Sequence, residues 1–225
     1  MPQIDPTYGS PHQAPVALFL RPAHRRGHRD PNHEALADWY GLHPVHVATL
    51  IAHYTREGDR VLDIDGHPTI AAATRHLNRQ LAVLSTDDGR TIDATGQLET
   101  AMPVVRLVLT TLPRLGIDSD DVHALSRAFG SWRRLLRPGG FMITLLADGP
   151  GRGTIGRRST VIAAARAAGL LYHQHIPGLL VAMPEVEPRA EPHVIVSPPL
   201  LAGRHMRIHR DLLAFASTEP EGGDA

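Results

Sequence analysis

The chain contains no cysteine, and that one absence removes disulfides, thiolate metal sites and cysteine nucleophiles together. The redox compartment is left unconstrained by sulfur. Lysine is missing as well: all 23 basic residues are arginine, which with abundant Ala, Gly and Pro reflects a high-GC coding sequence more than any chemistry. Aromatic residues are scarce, with two Trp, four Tyr and four Phe among 225 residues. That is too few to expect the base-stacking platforms used on single-stranded nucleic acid. No run approaches the roughly 20 apolar residues of a membrane span, and no charged segment followed by an apolar stretch opens the chain. A soluble, cytoplasmic protein is the expectation. Net charge is absent too, since 23 basic residues balance 23 acidic ones with 15 histidines counted neutral. No global field draws in nucleic acid at neutral pH, although mild acidification would make the protein cationic.

What is present is organised. A hydrophobic content of 42% over this length suits one well-buried domain with short tails. Residues 1–30 read as an extended or mobile arm, 31–216 as the domain and 217–225 as a disordered tail. The arm carries the one concentrated basic patch, RPAHRRGHR, with Arg21, Arg25, Arg26 and Arg29 as candidate nucleic-acid contacts. A solvated arm with no ligand is the equally weighted alternative.

Inside the domain, helical and strand patterns alternate as in an α/β fold. From Pro44, the residues Val47, Leu50, Ile51 and Tyr54 form one apolar stripe, which predicts a helix. RVLDID reads as a buried strand, Thr69 to Leu77 as a helix and QLAVLSTD as a second strand, together a βαβ unit. RLVLTTLP predicts the next strand, and a helix from about Asp120 to Leu136 is expected to stop at Arg137-Pro138-Gly139-Gly140. FMITLLAD is another strand, and a helix from Ser159 should end at Gly169. The remainder reads as antiparallel, with LYHQHIPGLLVAMPE and PHVIVSPP as edge strands and RIHRDLLAF closing the sheet.

In an open parallel sheet a ligand sits beyond the carboxyl ends of the strands, so those ends are the candidate site. The turn after the first of these strands is Asp63-Ile64-Asp65-Gly66-His67-Pro68-Thr69. It can be read as a modified cofactor turn or, with Pro68 in the favoured first helical position, as an ordinary strand-to-helix connection. After the second strand, Asp87 and Asp88 could accept hydrogen bonds from ribose hydroxyls or could simply begin a turn.

His43-Pro44, LIAHYTREGDRVLD, AAATRHLNR, RLVLTTLP and LLRPGGFMI, in this order and spacing, resemble the DNA amino-methyltransferases that use S-adenosylmethionine. The likeness runs from Arg21 to Phe215 and looks nearest to actinobacterial DNA methylase-like proteins. It implies a class I methyltransferase-like Rossmann domain: a mostly parallel twisted sheet, helices on both faces and an antiparallel carboxyl-terminal edge. It also implies a cofactor site at Asp63, Asp65, Gly66, His67 and Asp87. The position of the family's catalytic motif, a polar residue followed by two prolines and an aromatic, falls on Thr111-Leu112-Pro113-Arg114.

The departures cluster at those sites. Only Gly66 and Thr69 match the glycine-rich loop, Ser85 stands where the ribose acid belongs, and Thr111 and Pro113 are what remains of the catalytic motif. Between Asp87 and Val104 there are 18 residues for what is normally a helix, a strand and the adenine loop, so one element should be missing or vestigial. The expectation is a methyltransferase-like protein with weakened or lost cofactor binding that acts by binding nucleic acid or a protein. The alternative is an active methyltransferase with a rearranged pocket. DNA, a protein or a second copy of the chain are the partners this allows. The pairs His43/His46 and His205/His209 lack the glutamate of a zinc hydrolase pattern, so no metal is expected.

Overall fold

The computed structural model describes residues 19–21, 37–84, 91–93, 104–114, 116–147, 154–182 and 209–218. The elements in chain order are β1 (Phe19–Arg21), α1 (Pro44–Tyr54), β2 (Arg60–Asp63), α2 (Pro68–His76), β3 (Gln80–Leu84), β4 (Thr91–Asp93), β5 (Val105–Leu112), α3 (Val122–Arg133), β6 (Leu136–Leu146), α4 (Thr154–Ala167), β7 (Leu170–Ala182) and β8 (His209–Ser217). The strands form one eight-stranded sheet in the order β1-β7-β8-β6-β5-β2-β3-β4.

α1 forms for the reason its pattern suggests. Pro44 sits in the first turn, the His43 side chain caps it by accepting from the Val45 amide at 3.3 Å, and Val47, Leu50, Ile51 and Tyr54 are all buried. Each such apolar side chain contributes roughly 1.5–3 kcal/mol on burial. α2 repeats the device, with Pro68 in its first turn and His67 as the cap.

β2, β3, β5 and β6 are mutually parallel where they pair, and their alternating residues divide the core into two layers. Val108, Leu112, Met142 and Leu146 face the layer completed by Phe129, Trp132 and Val161. Leu107, Leu109, Ile143 and Leu145 face the layer completed by Leu50, Ile51 and Ile70. Helices on both faces of a mostly parallel sheet are the architecture of a doubly wound domain.

Three details differ from the sequence expectation. α3 ends at Arg133 and β6 already begins at Leu136, so Arg137-Pro138-Gly139-Gly140 is part of a strand and not a helix stop. The register explains how: Val105 pairs with Leu136 but Leu107 pairs with Phe141, so the Arg-Pro-Gly-Gly stretch is extra length bulged out of the ladder. Secondly, the antiparallel strand β8 is interior, pairing with β6 on one side and β7 on the other, while β1 lies parallel to β7 at the rim. Thirdly, α4 begins at Thr154, before the expected Ser159; Gly169 follows it at φ 81, the left-handed conformation expected at a helix end. In keeping with the short span after Asp87, the far edge beyond β3 is taken by the three-residue antiparallel strand β4, where a helix crossover would have delivered a parallel strand. PHVIVSPP lies outside the described residues.

Among the described residues no helix is long and apolar enough to cross a membrane.

Candidate functional site at the carboxyl ends of the strands

β2 is flanked by β3 on one side and β5 on the other, so the crossover to β3 departs in one direction and β5 is later laid down on the opposite side. The crevice outside the ends of β2 and β5 is thus the switch point of the sheet, the place where open α/β domains bind ligands. The fold brings Asp63, Asp65, Gly66, His67 and Thr111 to this crevice.

Asp63 is fully buried, and its carboxylate folds back on its own turn. Its oxygens accept from the amides of Asp65 at 3.0 Å and His67 at 2.6 Å. Burial pushes its ionisation up to about 6, against the pull of those amides and that of Gly66. The turn reverses at Gly66, whose φ of 66 suits a residue without a Cβ. His67 is half-buried, its Nδ1 accepts from the Thr69 amide at 3.3 Å, and its ring centroid lies 5.8 Å from that of Tyr40. Burial lowers the ionisation of His67, with the neighbouring Asp65 opposing. The Thr69 hydroxyl donates to the Ala37 carbonyl and ties the start of α2 to the segment before α1.

Asp65 bridges the crevice. One of its oxygens accepts from the Thr111 hydroxyl at 2.8 Å and the other meets the Arg114 guanidinium. Arg114 also donates through Nη2 to the Ile64 carbonyl at 2.9 Å, so it is held at two points of the β2 end. Burial raises Asp65 above the usual carboxylate range, while the Thr111 hydrogen bond and the Arg114 charge pull it back. The side chains of Arg114 and Asp65 are 20% and 10% exposed, which marks a largely enclosed ion pair. Leu112, by contrast, turns fully into the core. Pro113 is exposed and follows a cis peptide bond, and Arg114 pairs by an isolated bridge with Ile117.

The other expected residues are not brought here. Asp87, and with it Ser85, lies outside the described residues, as do Arg25, Arg26 and Arg29. Arg21 closes β1, opposite Ala182 of β7, on the far rim of the sheet. Among the described residues no group of three or more His, Asp or Glu converges in the manner of a metal site.

A second polar group at the carboxyl end of β6 escaped the sequence reading. Asp211 of β8 pairs with Leu146 and is 4% exposed. His175 Nε2 lies 2.7 Å from it, with Arg158 at 4.0 Å and His209 at 3.4 Å. Burial alone would raise Asp211, but His175, Arg158 and His209 together carry it below the usual carboxylate value. The one signal in the sequence was an acid set in the apolar strand RDLLAF.

No protein-family model matches the sequence, and no curated protein matches it either. Solved structures do. The chain is similar to geranyl diphosphate C-methyltransferase from Streptomyces coelicolor, in complex with Mg2+, geranyl diphosphate and S-adenosyl-L-homocysteine. The identity is 16%, 92% of this chain and 93% of the other are covered, and the TM-score is 0.53. A second complex of that enzyme, with geranyl-S-thiolodiphosphate, gives 16% identity, 92% and 88% coverage and a TM-score of 0.50. The [4+2]-cyclase SpnF also aligns, at 15% identity over 84% of this chain and 86% of its own, with a TM-score of 0.47. The class is therefore defined by its architecture: this is a class I methyltransferase-like Rossmann fold, and fold alone does not assign a reaction.

Proposed function

We propose that this chain is a relative of the S-adenosylmethionine-dependent DNA amino-methyltransferases whose cofactor crevice has been closed, and that it works by binding nucleic acid rather than by methyl transfer. One observation carries the reading: Arg114 occupies the switch-point crevice, clasped to Asp65 and to the Ile64 carbonyl. The residues present do not fit S-adenosylmethionine there. The amides of Asp65 and His67, the donors such a turn would offer, are already consumed by the buried Asp63 carboxylate. A guanidinium fixed in the crevice also opposes a cationic sulfonium by like-charge repulsion. The kinship with DNA enzymes rests on the run from His43 to Asp63 and on the Thr111-Leu112-Pro113 stretch.

Calorimetry of the full chain with S-adenosylmethionine and S-adenosylhomocysteine at millimolar concentration should give no binding heat. Saturable binding, together with transfer of a radiolabelled methyl group to DNA that a Thr111→Ala variant loses, would establish the active-methyltransferase alternative instead. For the binding role, affinity for duplex DNA should fall linearly in log units with log salt. Replacing Arg25 and Arg26 by Ala should flatten that slope, and an unchanged slope removes the arm from the function.

A further inference from the structure

The opposite end of the sheet holds a cavity that the proposed function leaves unused. It measures about 380 Å3 and is walled by His53, Tyr54, Arg56, Asp59, Arg106 and Arg137. Its walls come from three places that the fold alone brings together. α1 stops at Thr55, and the turn from Arg56 to Asp59 that follows is closed by the Asp59 carboxylate accepting from the Arg56 amide at 2.7 Å. Arg106 is the second residue of β5, and Arg137 stands in the bulge of β6.

We propose that this cavity is a binding site for the phosphoryl group of a small phosphate ester, held by Arg56, Arg106 and Arg137. Two of the three guanidinium groups are already fixed. Arg106 donates to the Tyr54 carbonyl at 3.3 Å and to the Gly139 carbonyl at 2.5 Å, with its guanidinium carbon 5.4 Å from the centre of the Phe141 ring. Arg137 is held at 2.8 Å by Asp59. Arg56 is exposed and its guanidinium has no partner among the described residues, so it is free to close over a ligand.

The charge count points to the ligand. Three guanidinium groups face one carboxylate, and both oxygens of that carboxylate are engaged, one by Arg137 and one by the Arg56 amide. The surplus of two positive charges matches the dianion of a phosphate monoester, and the arginine fork matches the geometry of phosphate oxygens. Burial and repulsion from Arg137 and Arg56 lower the ionisation of Arg106, a strain that a bound dianion would relieve. Volume favours a small molecule over a polymer: the cavity lies at the lower end of the ~300–1,000 Å3 range of small-ligand pockets.

The test is titration of the full chain with inorganic phosphate and with glycerol 3-phosphate, at ionic strength held constant with sodium chloride. Both should bind. Arg56→Ala and Arg137→Ala should each weaken binding about tenfold or more, as loss of a charge-assisted hydrogen bond to an anion implies. Arg56→Ala is the decisive variant, because an exposed side chain without partners can be removed with the fold intact, which circular dichroism checks. Arg114→Met, at the other end of the sheet, should leave phosphate binding unchanged whatever it does to the crevice. Binding no stronger than that of chloride overturns the proposal. So does binding indifferent to Arg56 and Arg137, or duplex DNA alone binding through these arginines.

Discussion

The two ends of the sheet treat charge in opposite ways. At the carboxyl ends of β2 and β5, Asp65 is answered by Arg114 and Thr111, and Asp63 by the amides of its own turn. At the amino ends, Arg56, Arg106 and Arg137 share one carboxylate among the described residues, that of Asp59. The first arrangement satisfies itself and has little left to offer a ligand. The second has donors in excess and a cavity in front of them. In a fold whose ligands ordinarily sit at the carboxyl ends, the donors in excess lie at the other end of the sheet.

The largest expected effect that would test this contrast is at Asp63. Its folded-state ionisation is raised from 3.8 to about 6, so its contribution to stability is fully present below the unfolded value and is lost as pH rises through about 6. Asp63→Asn removes that dependence. In urea unfolding, the stability of the variant relative to the natural chain should therefore improve by about 3 kcal/mol between pH 3.5 and pH 7, the free energy equivalent of that rise in ionisation. A flat difference across that interval would mean that the buried carboxylate is not strained.

Next in size is the clasp. Arg114→Met leaves Asp65 in an enclosed site without its counter-charge, and a loss of about 2 kcal/mol is expected, below the full cost of breaking a buried pair because some solvent reaches it. A cycle with Thr111→Val should show coupling, since both groups meet the same carboxylate. Strict additivity would separate the two and undo the description of a single clasp.

The smallest effect belongs to the amino end. Arg137→Ala breaks a pair whose arginine is 41% exposed, so the cost in stability should stay under about 1 kcal/mol even as phosphate affinity collapses. A cost as large as that of Arg114→Met would erase the distinction between a structural end and a recognition end.

Much of the frame was legible in the chain itself. The stripe of Val47, Leu50, Ile51 and Tyr54 foretold α1 with its boundary at Pro44, and the run from Thr69 to Leu77 foretold α2, because period is a property of neighbours along the chain. The buried runs in β2, β5 and β6 were legible for the same reason. The Arg-Pro-Gly-Gly stretch misled. Its residues are those of a helix stop, but whether they end a helix or bulge from a strand depends on the β5 residues they face, which local pattern does not contain. The candidate site was legible in part: the turn from Asp63 to His67 and Thr111 were singled out, while the capture of Asp65 by Arg114 and the Asp211 group were not.

By itself, then, the sequence determined most of the central helices and strands, their order and the class of fold, since these follow from hydrophobic period and from residues that start helices. Only the tertiary structure decided which charges meet. Arg114 finds Asp65 across 49 positions, and Arg137 finds Asp59 across 78. Such pairs exist because the strand order sets β2 beside β5 and β5 beside β6. Electrostatic partnership weakens with distance in space and is screened beyond about 10 Å, and that distance has no counterpart in spacing along the chain.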